Sequence, residues 1–170
     1  MKKKDAVILL AEDEESLQYV FACQIKALGY RTPEFVNNGF DVVKLALQKR
    51  IDIIFMDIRM PGLDGISATR RIREQEKGTA IPIIALSAFS QKSACLSAGM
   101  NDYMQKPVLL YQIDEMITMY LSTTDKPLPP KLLTEPAKIE IAPDKYSIED
   151  EKLKEVREKI DNLRKHTDIF

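Results

Sequence analysis

Three short, mostly apolar runs most constrain what this chain can fold into: residues 6–11 (Ala-Val-Ile-Leu-Leu-Ala), 52–57 (Asp-Ile-Ile-Phe-Met-Asp) and 81–87 (Ile-Pro-Ile-Ile-Ala-Leu-Ser). A strand with one solvated face alternates apolar and polar residues. A run that is apolar at every position must be covered on both faces, the situation of a central strand in a parallel sheet flanked by helices. Between and after these runs the apolar period changes to that of a helix. Leu17, Val20, Phe21, Ile25 and Leu28 form one stripe, closed by Gly29 as a C-terminal cap. Val42, Val43, Ala46 and Leu47 form a second, Ile66, Thr69 and Ile72 a third, and Ile113, Met116, Ile117 and Tyr120 the last. Strands alternating with helices at this pitch predict an α/β, doubly wound parallel sheet of five strands and five helices over roughly 1–122. The two weakest strands of that prediction are 30–35, interrupted by Pro33, and 101–105.

Composition excludes several classes. The 170 residues carry a formal net charge of −1, so no whole-chain field gathers nucleic acid or anionic lipid. The apolar run after the basic start Lys2-Lys3-Lys4 breaks at Glu12-Asp13, too early for a signal peptide or a membrane span. The two cysteines, Cys23 and Cys95, have no metal-ligand or redox spacing and read as small apolar residues in a reducing, cytoplasmic setting. The lone histidine, His166, stands among charged residues and reads as solvated.

In open parallel sheets ligands bind where strands end at their carboxyl edge. The first strand ends in Glu12-Asp13, the third in Asp57, the fourth in Ser87 and the fifth in Lys106-Pro107. Three carboxylates, one hydroxyl and one ammonium are therefore expected on a single edge. Carboxylate oxygens without His or thiolate suit a hard cation such as Mg²⁺. A strand-end carboxylate can also act as a nucleophile toward a phosphoryl group, with cation, ammonium and hydroxyl sharing the charge on its oxygens.

At this point the sequence resembles the response-regulator receiver family of two-component and phosphorelay signalling. The resemblance rests on Glu12-Asp13, on 56–65 (Met-Asp-Ile-Arg-Met-Pro-Gly-Leu-Asp-Gly), on Ala85-Leu86-Ser87-Ala88, and on 98–107 (Ala-Gly-Met-Asn-Asp-Tyr-Met-Gln-Lys-Pro), and it covers about 1–121. It is strongest toward receivers of hybrid histidine kinases. It implies a flavodoxin-like strand order 2-1-3-4-5 and a phosphoacceptor signalling domain rather than an enzyme. Asp57 is then the phosphoacceptor. Mg²⁺ is held by Asp13, Asp57 and the backbone carbonyl of Arg59, with Glu12 assisting from a position where many members have Asp. Lys106 and Ser87 contact the phosphoryl group, Lys106–Pro107 is a cis peptide, and Ser87 and Tyr103 form the switch.

The partner implied is a histidine kinase or histidine phosphotransfer protein, docking near the first helix at Leu17, Tyr19, Ala22, Cys23 and Pro107. A further downstream protein, or a second copy through the tail or through the fourth helix, fifth strand and fifth helix, is a possible output. Other occupants of the same fold remain open: a phosphatase-like or flavin-binding protein, or a receiver silent to phosphorylation. Residues 123–146, with Pro127, Pro129, Pro130 and Pro136, read as an extended linker. Residues 147–170 carry Leu153, Val156, Ile160 and Leu163 at heptad spacing, one short amphipathic helix that needs a surface to bury against. This tail is not basic overall, which disfavours a DNA-binding output.

Overall fold

A computed structural model describes residues 5–75 and 81–121 of the chain. The expected linker 123–146 and tail 147–170 lie outside the described residues. The elements alternate strictly: β1 (Ile8–Ala11), α1 (Glu15–Ala27), β2 (Glu34–Val36), α2 (Gly39–Gln48), β3 (Ile53–Asp57), α3 (Gly65–Gln75), β4 (Ile83–Ser87), α4 (Lys92–Ser97), β5 (Asp102–Gln105) and α5 (Leu110–Leu121). All strand pairs are parallel, in the order β2-β1-β3-β4-β5. The five-stranded, doubly wound architecture read from the sequence is the observed one.

The apolar runs explain themselves in this arrangement. β1, β3 and β4 are buried at every position. Their side chains alternate between two cores, because successive residues of a strand point to opposite faces. Leu9, Ile54, Met56, Ile83 and Ala85 pack with Val42, Ala46, Ala68, Ile72 and Cys95 from α2, α3 and α4. Ile8, Leu10, Ile53, Phe55, Ile84 and Leu86 pack with Phe21, Ile25, Ile113 and Ile117 from α1 and α5. Full burial of each such side chain contributes about 1.5–3 kcal/mol, so the two layers dominate the stability of the sheet.

The weak strands have local causes. Pro33 cannot donate a ladder hydrogen bond, and β2 begins only after it, at Glu34. It sits at the sheet edge, where a short strand suffices. Gly29 closes α1 with φ +83°: its N–H donates to Lys26 O at 3.0 Å and that of Tyr30 to Ile25 O at 3.2 Å. The same motif recurs after α4, where the N–H of Gly99 donates to Leu96 O and that of Met100 to Cys95 O. That repeat marks the end of the one helix for which the sequence offered no apolar stripe.

Three expected core positions lie outside the core or at its margin. Leu17 is 38% exposed and Val20 only half-buried, because α1 starts beyond the strand ends and contributes Phe21, Ile25 and Leu28 to the layer beneath. Leu47 is 41% exposed, its place against the sheet taken by the half-buried Leu45.

Space, rather than backbone freedom, fixes the entry to α3. A Cβ on Gly65 would stand 2.2 Å from the Asp57 carbonyl oxygen and 2.9 Å from Met56 Cγ. The helix therefore starts directly against the end of β3. Gly65→Ala is expected to lower unfolding free energy by about 1–3 kcal/mol through this overpacking, measured by urea denaturation. An unchanged midpoint would show that the β3–α3 junction relaxes freely.

Candidate functional site

Because every strand is parallel, all carboxyl ends share one edge, and four of them deliver polar groups there. β1 runs into Glu12, which is 2% exposed despite its charge. Its backbone is pinned on both sides: the N–H donates to Val36 O at 3.0 Å, and the carbonyl accepts from Gln18 Nε2 at 2.6 Å. Asp57 ends β3 and is 7% exposed, with Oδ1 accepting from the Arg59 N–H at 3.1 Å. Lys106 follows β5, and its N–H donates to Ser87 O at 2.8 Å, aligning the ends of β4 and β5. Its ammonium then reaches across the edge, 2.6 Å from Glu12 Oε2 and 2.7 Å from Asp57 Oδ2. The Lys106–Pro107 peptide is cis, as the family resemblance implies.

Asp13 completes the acidic group. One carboxylate oxygen from each of Glu12, Asp13 and Asp57 lies within 4.8 Å of the others. Asp13 itself is exposed and is not the N-cap of α1, which is Glu14, whose side chain makes no capping bond to the helix backbone. Two buried carboxylates and one solvent-facing carboxylate converging on one point fit a hard divalent cation that keeps part of its water shell. The lone ammonium leaves this cluster with an excess of negative charge.

Electrostatics follow from burial and pairing. Burial pushes the Glu12 carboxyl above its usual range, the Lys106 ammonium pulls it back only in part, and the Asp57 charge pushes it further up. For Lys106, burial works against the charged form, yet the hydrogen bonds and charges of Asp57 and Glu12 together outweigh it and hold the ammonium above its ordinary value.

Ser87 and Tyr103 meet at a residue that sequence reasoning missed. Ser87 Oγ donates to the Phe89 carbonyl oxygen at 3.0 Å and accepts from the Phe89 N–H at 3.2 Å. Tyr103 Oη donates to that same carbonyl at 2.6 Å. The Phe89 ring, 54% exposed, carries the Arg59 guanidinium 4.4 Å from its centroid. Phe89 thus links both hydroxyls to the residue beside Asp57. No motif signals it, since its role lies in backbone atoms and a stack from another loop.

Of the expected docking residues, Leu17 and Pro107 line an apolar groove of about 310 Å³, together with Val20, Phe21, Gln24 and Val108, and the groove ends at Glu12 and Lys106. Tyr19 is 51% exposed, while Ala22 and Cys23 are half-buried, and these three do not line the groove. No helix among the described residues is long and apolar enough to cross a membrane.

An acidic pocket bridged by a lysine at the carboxyl edge of a doubly wound sheet defines a class of site. The comparisons give its family: the response regulator receiver domain pattern matches residues 8–118, and the chain belongs to that family. It is 33% identical over 125 residues to the sensor histidine kinase RcsC of Escherichia coli K12, covering 72% of this chain but only 13% of that protein. It is 32% identical to the polar-differentiation response regulator DivK of Brucella anthropi, over 67% of this chain and 94% of the relative. Among solved structures, the receiver domain of the sensor histidine kinase PA1611 from Pseudomonas aeruginosa PAO1, described with a magnesium ion coordinated in its active-site cleft, is 41% identical with a TM-score of 0.64. That likeness covers 69% of this chain and 98% of the other. The receiver domain of Ssk1 from Saccharomyces cerevisiae, solved with the histidine phosphotransfer protein Ypd1, is 27% identical with a TM-score of 0.61, over 68% and 88% of the two chains. This chain is a receiver domain of two-component or phosphorelay signalling.

Two predictions come from the charge balance. Glu12 has a raised folded-state value, so its contribution to stability is largest at low pH and is lost as pH rises through that value. Lys106 has a raised value too, so its contribution is present at neutral pH and disappears only in the alkaline range. Lys106→Met is therefore expected to cost about 1–3 kcal/mol at pH 7.5 without added cation, with the cost shrinking toward pH 4.5 as Glu12 takes up a proton. Urea unfolding across pH 4.5–8 checks it, and a pH-independent cost would mean that Lys106 stabilises by packing alone.

Asp13→Asn is expected to raise the melting temperature in chelator by about 2–4 °C through relief of like-charge crowding. Millimolar Mg²⁺ is expected to stabilise the parent and to leave the variant unchanged. A lower melting temperature in chelator would mean that Asp13 stabilises the start of α1 instead.

Proposed function

We propose that Asp57 accepts a phosphoryl group from a phosphohistidine donor in a Mg²⁺-dependent transfer, and that the acylphosphate so formed changes partner binding. The observation that carries this reading is the Lys106 ammonium held between Asp57 and Glu12, with Asp13 close enough to share a cation. Glu12, Asp13, Asp57 and the Arg59 carbonyl are the groups assigned to the cation, which when bound supplies positive charge to the transferring oxygens. Asp57 Oδ forms the bond to phosphorus as the bond from phosphorus to the imidazole nitrogen breaks, and the freed imidazole keeps the electron pair. Lys106 supplies its ammonium to a phosphoryl oxygen, a contact that replaces its pairing with the carboxylate. Ser87 donates to another oxygen, which requires its hydroxyl to turn from the Phe89 carbonyl. Tyr103, bonded to that same carbonyl, is the group placed to respond.

The donor docks along α1 and the loop after β5, where the apolar groove includes Glu12 and Lys106 in its lining. The phosphotransfer complex of the related Ssk1 domain supports a partner of that kind. The receiver extends over 1–122, with 123–146 as a linker and 147–170 as a tail, and its action is signalling rather than turnover of a substrate. Cys23 and Cys95, both free thiols, suit a cytoplasmic setting.

The test is labelling with acetyl phosphate or a phosphohistidine donor, read by intact mass. One phosphoryl adduct, labile to hydroxylamine, is expected in Mg²⁺, with none in chelator and none in Asp57→Asn. An adduct that survives Asp57→Asn, or forms equally well in chelator, overturns the assignment.

A further inference from the structure

Helix α1 holds two of the loops that build the site, through two glutamines six positions apart, about 9 Å along the helix axis. Gln18 Nε2 donates to the Glu12 carbonyl at 2.6 Å, and Gln24 Nε2 donates to the Val108 carbonyl at 3.0 Å. Those loops carry the two ends of the Glu12–Lys106 ion pair, residues 94 positions apart in the chain. Gln18 reaches a residue whose backbone is already tied to β2 through Val36. Gln24 does more. The connection from β5 to α5 is anchored at its start by the Lys106 N–H on Ser87 O and at its end by the Leu109 N–H on Gln112 Oε1 at 2.9 Å. Between these anchors stands Pro107, which has no N–H to give. The Gln24 carboxamide ties the backbone at the middle of the connection to α1, beside the packing of the half-buried Val108 side chain on the core under α1 and α5.

We propose that Gln24 is a positioning residue for the phosphoryl-transfer site: its bond to Val108 holds the Lys106–Pro107–Val108 segment against α1 and so keeps the Lys106 ammonium on Asp57. This rests on the phosphoacceptor reading of Asp57 for its effect on rate, but not for its effect on Lys106. Gln24 also lines the apolar groove with Leu17, Val20, Phe21, Pro107 and Val108. A side chain seated there touches the bond that positions Lys106, so occupancy of the groove and placement of the ammonium are linked through one carboxamide.

Two substitutions in the full chain test this. Gln24→Met keeps the length and apolar contacts but removes the donor. Gln24→Glu also lacks the N–H and sets a carboxylate against the Val108 carbonyl. Three readouts apply to each: the Nζ resonance of Lys106 by NMR, the maximal rate of Mg²⁺-dependent labelling by acetyl phosphate, and the Mg²⁺ concentration giving half that rate. The Lys106 signal is expected to move toward that of a solvated lysine in both variants. The maximal rate should fall about three- to tenfold, as a small misplacement of a charge-stabilising group implies. The half-saturating Mg²⁺ concentration should change by less than about twofold, because Gln24 holds no cation ligand. An unmoved Lys106 resonance in both variants overturns the proposal, whatever Asp57 does with phosphodonors. So does a rate loss that follows a weakened Mg²⁺ response, since that is the signature of general damage to the site. A parent chain that is not labelled at all, with Lys106 displaced in the variants, would sink the phosphoacceptor reading and leave the positioning role standing.

Discussion

The Lys106 ammonium between Glu12 and Asp57 is the interaction on which the rest of this edge depends. A carboxylate that is 2% exposed has lost most of its hydration, a cost that only a close, hydrogen-bonded countercharge offsets. Glu12 has that countercharge 2.6 Å away, delivered from a strand on the other side of the sheet. The pairing demands that β5 lie within reach of β1 and β3 with its carboxyl end on the same edge, and that the connection after it turn back. Parallel strand order supplies the first condition. The cis Lys106–Pro107 segment and its tether to α1 meet the second.

Local chemistry and long-range chemistry were unequally legible in the sequence. The buried strands could be read because full burial on both faces removes every polar residue from 8–11, 53–56 and 83–86, a pattern few other structures require. The strand-end carboxylates could be read because a charge directly after such a run has nowhere else to stand. The expectation for Leu17 and Val20 went astray because helical period locates one face of a helix and says nothing of where the sheet beneath it stops. Gln24, Gln18 and Phe89 were invisible for a different reason. Each acts on or through a backbone carbonyl, and a backbone carbonyl leaves no mark in the residue alphabet. Arg59 was visible only as a neighbour of Asp57, whereas its side chain lies over an aromatic ring beyond the end of the adjacent strand β4.

Phe89 shows how such unmarked atoms can organise a site. Its carbonyl is the common acceptor of Ser87 and Tyr103, and its N–H is a donor to Ser87. One carbonyl oxygen has two lone pairs, so the two hydroxyls are both satisfied while both remain. Withdrawal of the Ser87 hydroxyl breaks its bond to the carbonyl and its bond from the N–H together, and leaves Tyr103 as the remaining hydroxyl on that oxygen. The tyrosine and the serine thus share one acceptor. The stack of Arg59 on the Phe89 ring adds the β3–α3 loop to the same unit, so the loop beside Asp57 and the loop after Ser87 are mechanically joined.

The fold alone does not choose among functions, since the same sheet serves many chemistries. The charge count at its edge is what supports the proposed function. One ammonium against three carboxylates is an incomplete neutralisation, and a divalent cation is the group that would relieve it. A divalent cation adds positive charge near the carboxylates. In the proposed transfer, a phosphoryl group on Asp57 would add negative charge and carry it outward onto the phosphoryl oxygens, where Lys106 and a cation would both meet it. The two additions would favour one another, because the oxygens that carry the added charge are the ones a cation needs. A site built only to be stable would have paired each carboxylate or replaced it. This one keeps the imbalance at the point where the sheet, the Lys106 connection and the Phe89 carbonyl converge, so a change of charge there reaches all three.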